Sequence, residues 1–216
     1  MQRTHRYIAV EGPIGVGKTT LARRLSERFE ARLLLEAVEE NPFLASFYED
    51  PRKHAFQAQI FFLLSRYQQQ LELLQGDLFS AMTVADYLFA KDRIFASLTL
   101  GADEYALYDR IATALDARVA KPDLVVFLQA RSDVLMARIR KRGRDFERHI
   151  EPEYLDALAR AYNDFFFHYE DTPLLVVNAN DVDLATSDED LDALVNVIRR
   201  HKVGTQHYVP LGTRVD

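Results

Sequence analysis

Two kinds of pattern alternate along the chain: short unbroken runs of aliphatic and β-branched residues, and longer stretches in which apolar residues recur every three or four positions. Tyr7–Val10 is the first short run. It stops at Glu11 and a glycine-rich turn, after which Leu21, Leu25 and Phe29 keep helical spacing. Leu33–Leu35 stops at Glu36 and Thr83–Ala85 at Asp86, so three strand candidates each end on a carboxylate. Asp123–Gln129 (DLVVFLQ) and Leu174–Asn178 (LLVVN) are too continuously apolar for strands with one face in water. They fit a parallel sheet covered on both faces. The helical period predicts helices over Arg52–Gln75, Leu88–Leu100, Asp103–Ala120, Ser132–Arg142, Pro152–Tyr169 and Asp188–His201. Ser187 before Asp188, Glu189 and Asp190 reads as an N-cap with acids on the positive end of a helix dipole, which gives that acidic run a structural role. The tail Gly204–Asp216, with Pro210 and Gly212, reads as irregular, and no linker or repeat divides the chain. The pattern predicts one α/β domain spanning residues 1–216, with a five-stranded parallel sheet, helices on both faces and a site at the carboxyl ends of the strands.

Composition narrows the chemistry. At 48% hydrophobic and 28% charged residues the chain can build a core. It has no cysteine, which removes disulfides, zinc–thiolate sites and a cysteine nucleophile and suits a cytoplasmic setting. The longest apolar run, near Ile60–Leu64, is far short of the ~20 residues that cross a bilayer, so a soluble protein with no membrane partner is expected. With 27 basic and 33 acidic residues the net charge of −6 argues against a nucleic-acid polymer as partner. Any anionic ligand must be met by a local cluster.

Gly12–Thr19 (GPIGVGKT) satisfies the P-loop spacing of glycine, four residues, glycine, lysine and a hydroxyl residue, with a strand before it and a helix after it. The backbone of Gly12, Pro13, Ile14, Gly15, Val16 and Gly17, with Thr20 behind, would present N–H groups to phosphate oxygens. Lys18 reaches the outer phosphates and Thr19 can ligate Mg²⁺. This predicts a P-loop NTPase fold. The guanine motif of a GTPase is missing, because the late strand runs into VVNAND (Val176–Asp181) without a lysine. Arg138, Arg140, Lys141, Arg142, Arg144 and Arg148 place six cations within eleven positions around Gly143. Such a cluster is either a solvated helix end or, beside a P-loop, an arginine-rich lid over about residues 138–150 that closes on a transferring phosphoryl group. Gln59 and Arg66, seven residues apart, share one helix face with Phe62 and Leu63 between them.

These pieces together resemble the deoxyribonucleoside kinases. The likeness is carried by GPIGVGKTT (Gly12–Thr20), LLLEAVEENPFLASFYEDP (Leu33–Pro51), FQAQIFFLLSRY (Phe56–Tyr67) and RIRKRGRDFE (Arg138–Glu147), in that order. The resemblance implies transfer of the γ-phosphoryl group of ATP, with Mg²⁺, to the 5′-hydroxyl of a deoxynucleoside in nucleotide salvage. It implies Glu36 as general base, Lys18, Arg142 and Arg144 as charge-stabilising groups, and Arg138 on the bound nucleotide. Tyr48 and Glu147 would read the sugar, and Gln59 with Arg66 the nucleobase. Asp86 would join Thr19 at the metal. ADYLFAKDR departs from the family's Glu-Arg-Ser at this place: Tyr87 holds the arginine position, so one phosphate contact must come from elsewhere, such as the lid. Asp92 either faces the base edge or caps a helix. Ala58 stands where relatives often carry a stacking phenylalanine. Relatives are commonly dimers, which implies a homodimer through the apolar positions between Ile60 and Leu74. The rival readings are a nucleoside monophosphate kinase of thymidylate type and a non-catalytic nucleotide-dependent switch.

Overall fold

The computed structural model describes residues 5–74, 82–182, 184 and 186–210. Continuous apolar runs become parallel strands because both faces are covered. β1 (Tyr7–Glu11) is buried at every position and lies at the centre, flanked by β3 (Thr83–Ala85) and β4 (Leu124–Gln129). β2 (Arg32–Leu34) pairs outside β3, and β5 (Leu174–Asn178) outside β4. A sixth strand, β6 (Thr205–Tyr208), pairs in parallel with β5, giving the order β2-β3-β1-β4-β5-β6. The expected sheet of five strands and irregular tail are therefore corrected: Gly204, at φ +69°, turns the chain back and the following TQHY lies along the β5 edge. Three of its four side chains are exposed, so no apolar pattern marks it. Residues 211–216 of that tail and Gln75 lie outside the described residues.

Eight helices surround the sheet among the described residues: α1 (Lys18–Phe29), α2 (Leu44–Glu49), α3 (Pro51–Leu74), α4 (Asp92–Thr99), α5 (Ala102–Asp116), α6 (Ser132–Arg142), α7 (Pro152–Phe167) and α8 (Asp188–Arg200). Each long helix turns an apolar stripe to the strands: Leu21 and Leu25 of α1, Leu135 and Ile139 of α6, Leu155, Leu158, Tyr162 and Phe166 of α7, and Leu191, Leu194 and Ile198 of α8. The N-cap at Ser187 forms, its Oγ accepting the Asp190 N–H at 3.1 Å, and Asp188 pairs with Arg24 and Arg28 of α1. The helix expected over Leu88–Leu100 instead starts with a tight 3₁₀ turn, Phe89–Lys91, before α4. The short α2 has no counterpart in the sequence pattern.

On α3 the buried face carries Gln59, Arg66 and Gln70 beside Ala55, Ala58 and Leu63, which blurs its amphipathic signature and aims polar groups inward. Leu64 of α3 and Leu107 of α5 are about half exposed. No described helix is long and apolar enough to cross a membrane.

Candidate active site

The carboxyl ends of β1, β2 and β3 converge, and with them the turn between β1 and α1. Three glycines in this turn are demanded by geometry: at Gly12, φ +150°, a Cβ would lie 2.5 Å from the Leu128 carbonyl oxygen. Gly15 has φ +84°, and a Cβ there would lie 2.8 Å from the Leu135 carbonyl oxygen and from Ile139 on α6. Gly17 caps α1 at φ +104° with no side chain over the helix end, which leaves the first N–H groups of α1 facing the cavity. Lys18 Nζ folds over the turn, donating to the Gly12 carbonyl at 2.6 Å and the Pro13 carbonyl at 3.1 Å. Val16 anchors the loop in the core, while Ile14 and Thr20 face the two cavities described below.

Three strand-end carboxylates have different surroundings. Glu11 is fully buried and accepts from the N–H groups of Gly12 (2.9 Å) and Leu88 (2.6 Å) and from the Tyr162 hydroxyl (3.0 Å). It ties the P-loop to the segment after β3. Asp86 accepts the Thr19 hydroxyl at 2.5 Å and the Glu36 N–H at 2.7 Å. A hydroxyl and a carboxylate side by side are hard oxygen donors of the kind Mg²⁺ accepts. That ion needs only one or two protein oxygens beside phosphate and water, so Thr19 and Asp86 fit it. Among the described residues no group of three or more histidines, cysteines or carboxylates could hold a metal alone.

Glu36 lies between cations. Arg66 Nη2 pairs with its Oε1, and Lys91 Nζ donates to its Oε2 at 2.7 Å. Burial alone would raise the Glu36 pKa; the charges and hydrogen bonds of Arg66 and Lys91 overcome burial and hold the carboxyl well below the usual carboxylate range. Burial, helped by the nearby Lys91 charge, lowers Lys18 to about 8 against the opposing pull of Glu11, Glu36 and Asp86.

Arg66 is clamped from its other side by Asp92, the first residue of α4. Asp92 makes no side-chain capping bond and does not line the cavity; it sits behind Arg66. Tyr87 is fully buried, its hydroxyl accepting from Gln70 at 3.4 Å, and contributes nothing to the cavity wall.

The first cavity, of about 450 Å³, is lined by Lys18, Thr19, Glu36 and Asp86 together with Tyr48, Gln59, Phe62 and Arg66. Gln59 is steadied by Thr99, its Nε2 donating to the hydroxyl at 3.3 Å. Phe62, one turn beyond Ala58, lies under the Arg66 guanidinium at 5.0 Å. Tyr48 stacks on Phe146 with centroids 6.1 Å apart, and its buried phenol is pushed far above the usual tyrosine range by desolvation.

The lid residues close the same cavity. α6 ends at Gly143 in the left-handed region, and the next turn, Asp145–Glu147, buries Glu147. Arg142 grips it with a two-pronged contact, Nη2 to Oε1 at 2.5 Å and Nε to Oε2 at 3.1 Å, and Arg144 stands 3.9 Å away. A second cavity, of about 530 Å³, adjoins the other side of the P-loop, between Gly15, Thr20, Arg138, Lys141 and the loop Ala179–Val182. Arg138 is held there by the carbonyls of Val16 (3.3 Å) and Ala179 (2.8 Å). Gly15 and Arg142 border both cavities. The arrangement is suited to a phosphate chain lying over the P-loop, with one organic group on either side of it.

Every site residue expected from the sequence except Asp92 lines one of the two cavities or belongs to the P-loop turn they share, while Tyr87, Arg140 and Arg148 line neither. Sequence reasoning missed Lys91, Glu11, Tyr154, which also lines the first cavity, and the Asn180–Asp181 edge of the second cavity. The one available signal was the charged triplet Lys91–Arg93 set between the apolar triplets LFA and IFA.

Residues 8–203 match the family model for deoxynucleoside kinase. The chain is 41% identical to the deoxyguanosine kinase of Bacillus subtilis over 74% of its own length and 77% of that protein. It is 36% identical to the deoxyadenosine kinase of Dictyostelium discoideum, over 74% of this chain and 66% of that one. Among solved structures, the deoxyadenosine kinase of M. mycoides with products dCMP and dCDP bound superposes with a TM-score of 0.78 at 26% identity, covering 89% of this chain and 98% of that chain.

Proposed function

The chain belongs to the deoxynucleoside kinase family, and from that premise we propose that it moves the γ-phosphoryl group of ATP to the 5′-hydroxyl of a purine 2′-deoxynucleoside. The observation that carries this reading is Glu36: a carboxylate only 11% exposed that lines the nucleoside-sized cavity together with Lys18 of the P-loop. The nucleoside occupies the first cavity, with its base between Gln59 and Phe62 and its sugar against Tyr48 and Glu147. ATP lies over the P-loop with its own base in the second cavity. A purine is favoured by the relatives named for deoxyguanosine and deoxyadenosine and by Ala58, which leaves room in the wall beside Gln59.

Glu36 orients the 5′-hydroxyl in line with the γ-phosphorus and accepts its proton. Lys18, Arg142 and Arg144 stabilise the charge spread over the phosphoryl oxygens. Thr19 and Asp86 would hold Mg²⁺, which when bound neutralises phosphate charge. The lid grip of Arg142 on Glu147 couples the sugar contact to the phosphate contact, so the cation is positioned only when the turn beside the sugar is closed.

Base preference is tested by ADP release with each of the four deoxynucleosides. Deoxyguanosine or deoxyadenosine is expected to exceed thymidine in kcat/KM by at least about tenfold, the scale of a fitted pocket. A preference for thymidine or deoxycytidine overturns the purine assignment.

The Lys18 environment sets a pH limit. Its ammonium is present below about pH 8 in the free protein and is lost as pH rises through that value. kcat/KM for ATP is therefore expected to fall above about pH 8, tending to a tenfold loss per pH unit. kcat persists to higher pH, because bound phosphates favour the charged amine. A kcat/KM that is flat through pH 9.5 contradicts this role.

A further inference from the structure

Lys91 is only 3% exposed, and an ammonium held that deep must be matched by an anion. Its ion pair among the described residues is with Glu36, at 2.7 Å, and its Nζ lies 5.8 Å from the centre of the Phe95 ring. Both residues line the same cavity as Lys18 and Thr19. The other Glu36 oxygen is taken by Arg66, so a hydroxyl arriving at this carboxylate finds both oxygens engaged. The two cations are not equivalent. Arg66 is fixed between two carboxylates, Glu36 and Asp92, with its planar fork buried. Lys91 has one carboxylate, a flexible four-carbon stem and a compact charge with no preferred plane. Of the two, Lys91 is the partner that can leave.

We propose that Lys91 is a catalytic residue that exchanges partners, holding Glu36 in the empty site and moving onto the transferring phosphoryl group when nucleoside and triphosphate are both bound. The proposal rests on the assignment of Glu36 as the base that meets the 5′-hydroxyl. As Lys91 withdraws, Glu36 Oε2 becomes free to accept. The 5′ O–H bond breaks and its proton passes to Oε2, while the oxygen's electron pair forms the bond to the γ-phosphorus. The bond from γ-phosphorus to the bridging oxygen breaks with its pair staying on the diphosphate. Lys91 remains an ammonium throughout and meets the equatorial oxygens, where charge develops. Tyr87, buried against Gln70, brings no charge to this wall, and the 3₁₀ turn after β3 places Lys91 there instead. The exchange also gives the empty protein a use for the pair: Lys91 keeps Glu36 neutralised until a substrate replaces it.

The test compares wild type with Lys91→Met, Lys91→Gln and Lys91→Arg in the full chain, with Glu36→Gln as reference. Steady-state kcat and KM, melting temperature, and binding of deoxyguanosine with ADP and aluminium fluoride, which mimics the phosphoryl group in flight, are measured for each. Lys91→Met and Lys91→Gln are expected to lower kcat by about 10²- to 10³-fold, the cost of one missing donor to developing charge. Nucleoside KM should change little, Lys91→Arg should recover part of kcat, and the aluminium fluoride complex should weaken far more than binding of nucleoside alone. Any of three results overturns the proposal: kcat within about threefold of wild type, a rise in KM with kcat unchanged, or losses that track a lower melting temperature in both neutral variants without recovery in Lys91→Arg. If wild type shows no transfer to a nucleoside, or Glu36→Gln is fully active, it is the underlying assignment that fails. Active wild type, inactive Glu36→Gln and unaffected Lys91→Met would sink the Lys91 proposal alone.

Discussion

Replacing Glu36 with glutamine is expected to lower kcat by about 10²- to 10⁴-fold, the range over which a positioned base contributes, while leaving ATP affinity close to wild type. Glutamine keeps the shape of the side chain and can still orient a hydroxyl through its carbonyl, but it cannot take the proton. The groups proposed to hold the triphosphate are the Gly12–Thr19 turn and the start of α1, and the Glu36 side chain bonds Arg66 and Lys91 rather than any of them. Loss should therefore appear in kcat and kcat/KM together, the pattern of an interaction made in the transition state. Equilibrium dialysis with ATP beside steady-state assays checks both halves. Activity within about tenfold of wild type would remove Glu36 from the base role.

The second large effect is on stability. Arg66 is the only described link between the buried carboxylates of Glu36 and Asp92, and neither Asp92 oxygen has a hydrogen-bond partner of its own. Arg66→Met keeps much of the apolar stem but leaves Asp92 as a buried charge without a counter-ion. The expected cost is ~3–5 kcal/mol. For a chain of 216 residues that corresponds to a fall in melting temperature of roughly 10 °C. Adding Asp92→Leu to Arg66→Met removes the stranded charge and is expected to restore a large part of the loss, a non-additive result that two independent sites would not give. Thermal melts of the two single variants and the double variant measure it. A melting temperature for Arg66→Met within about 2 °C of wild type would show that the Arg66–Asp92 pair is not what holds this wall.

What was legible in the sequence follows from how far apart the cooperating residues are. The P-loop was readable in full because its chemistry is contiguous: strand, glycine turn, lysine and hydroxyl are fixed by local spacing. Glu36 and Asp86 were legible as strand-end carboxylates, but their roles came only from the family resemblance, because Glu11 ends a strand in the same way and is buried outside the cavity wall. Gln59 and Arg66 could be placed on one face by the helical period. The contacts of Arg66 with residues 30 positions before it and 26 after it could not, since no local pattern encodes them. Lys91 was hidden for the same reason. Beside Asp92 and Arg93 a lysine reads as part of an exposed charged stretch, and only the turn after β3 carries it inward. β6 escaped because an exposed edge strand buries almost nothing. The second cavity went unread because its wall, Ala179–Val182, works through backbone carbonyls that any sequence could supply.

The most direct test of the whole account is to identify the product formed by wild-type protein from ATP, Mg²⁺ and deoxyguanosine, by phosphorus NMR and chromatography, with 2′,5′-dideoxyguanosine as control. The account predicts the 5′-monophosphate in a one-to-one ratio with ADP, and no ADP from the analogue that lacks the 5′-hydroxyl. Phosphate released to water, a phosphate on the 3′-oxygen, or turnover only with a nucleoside monophosphate as acceptor would contradict it.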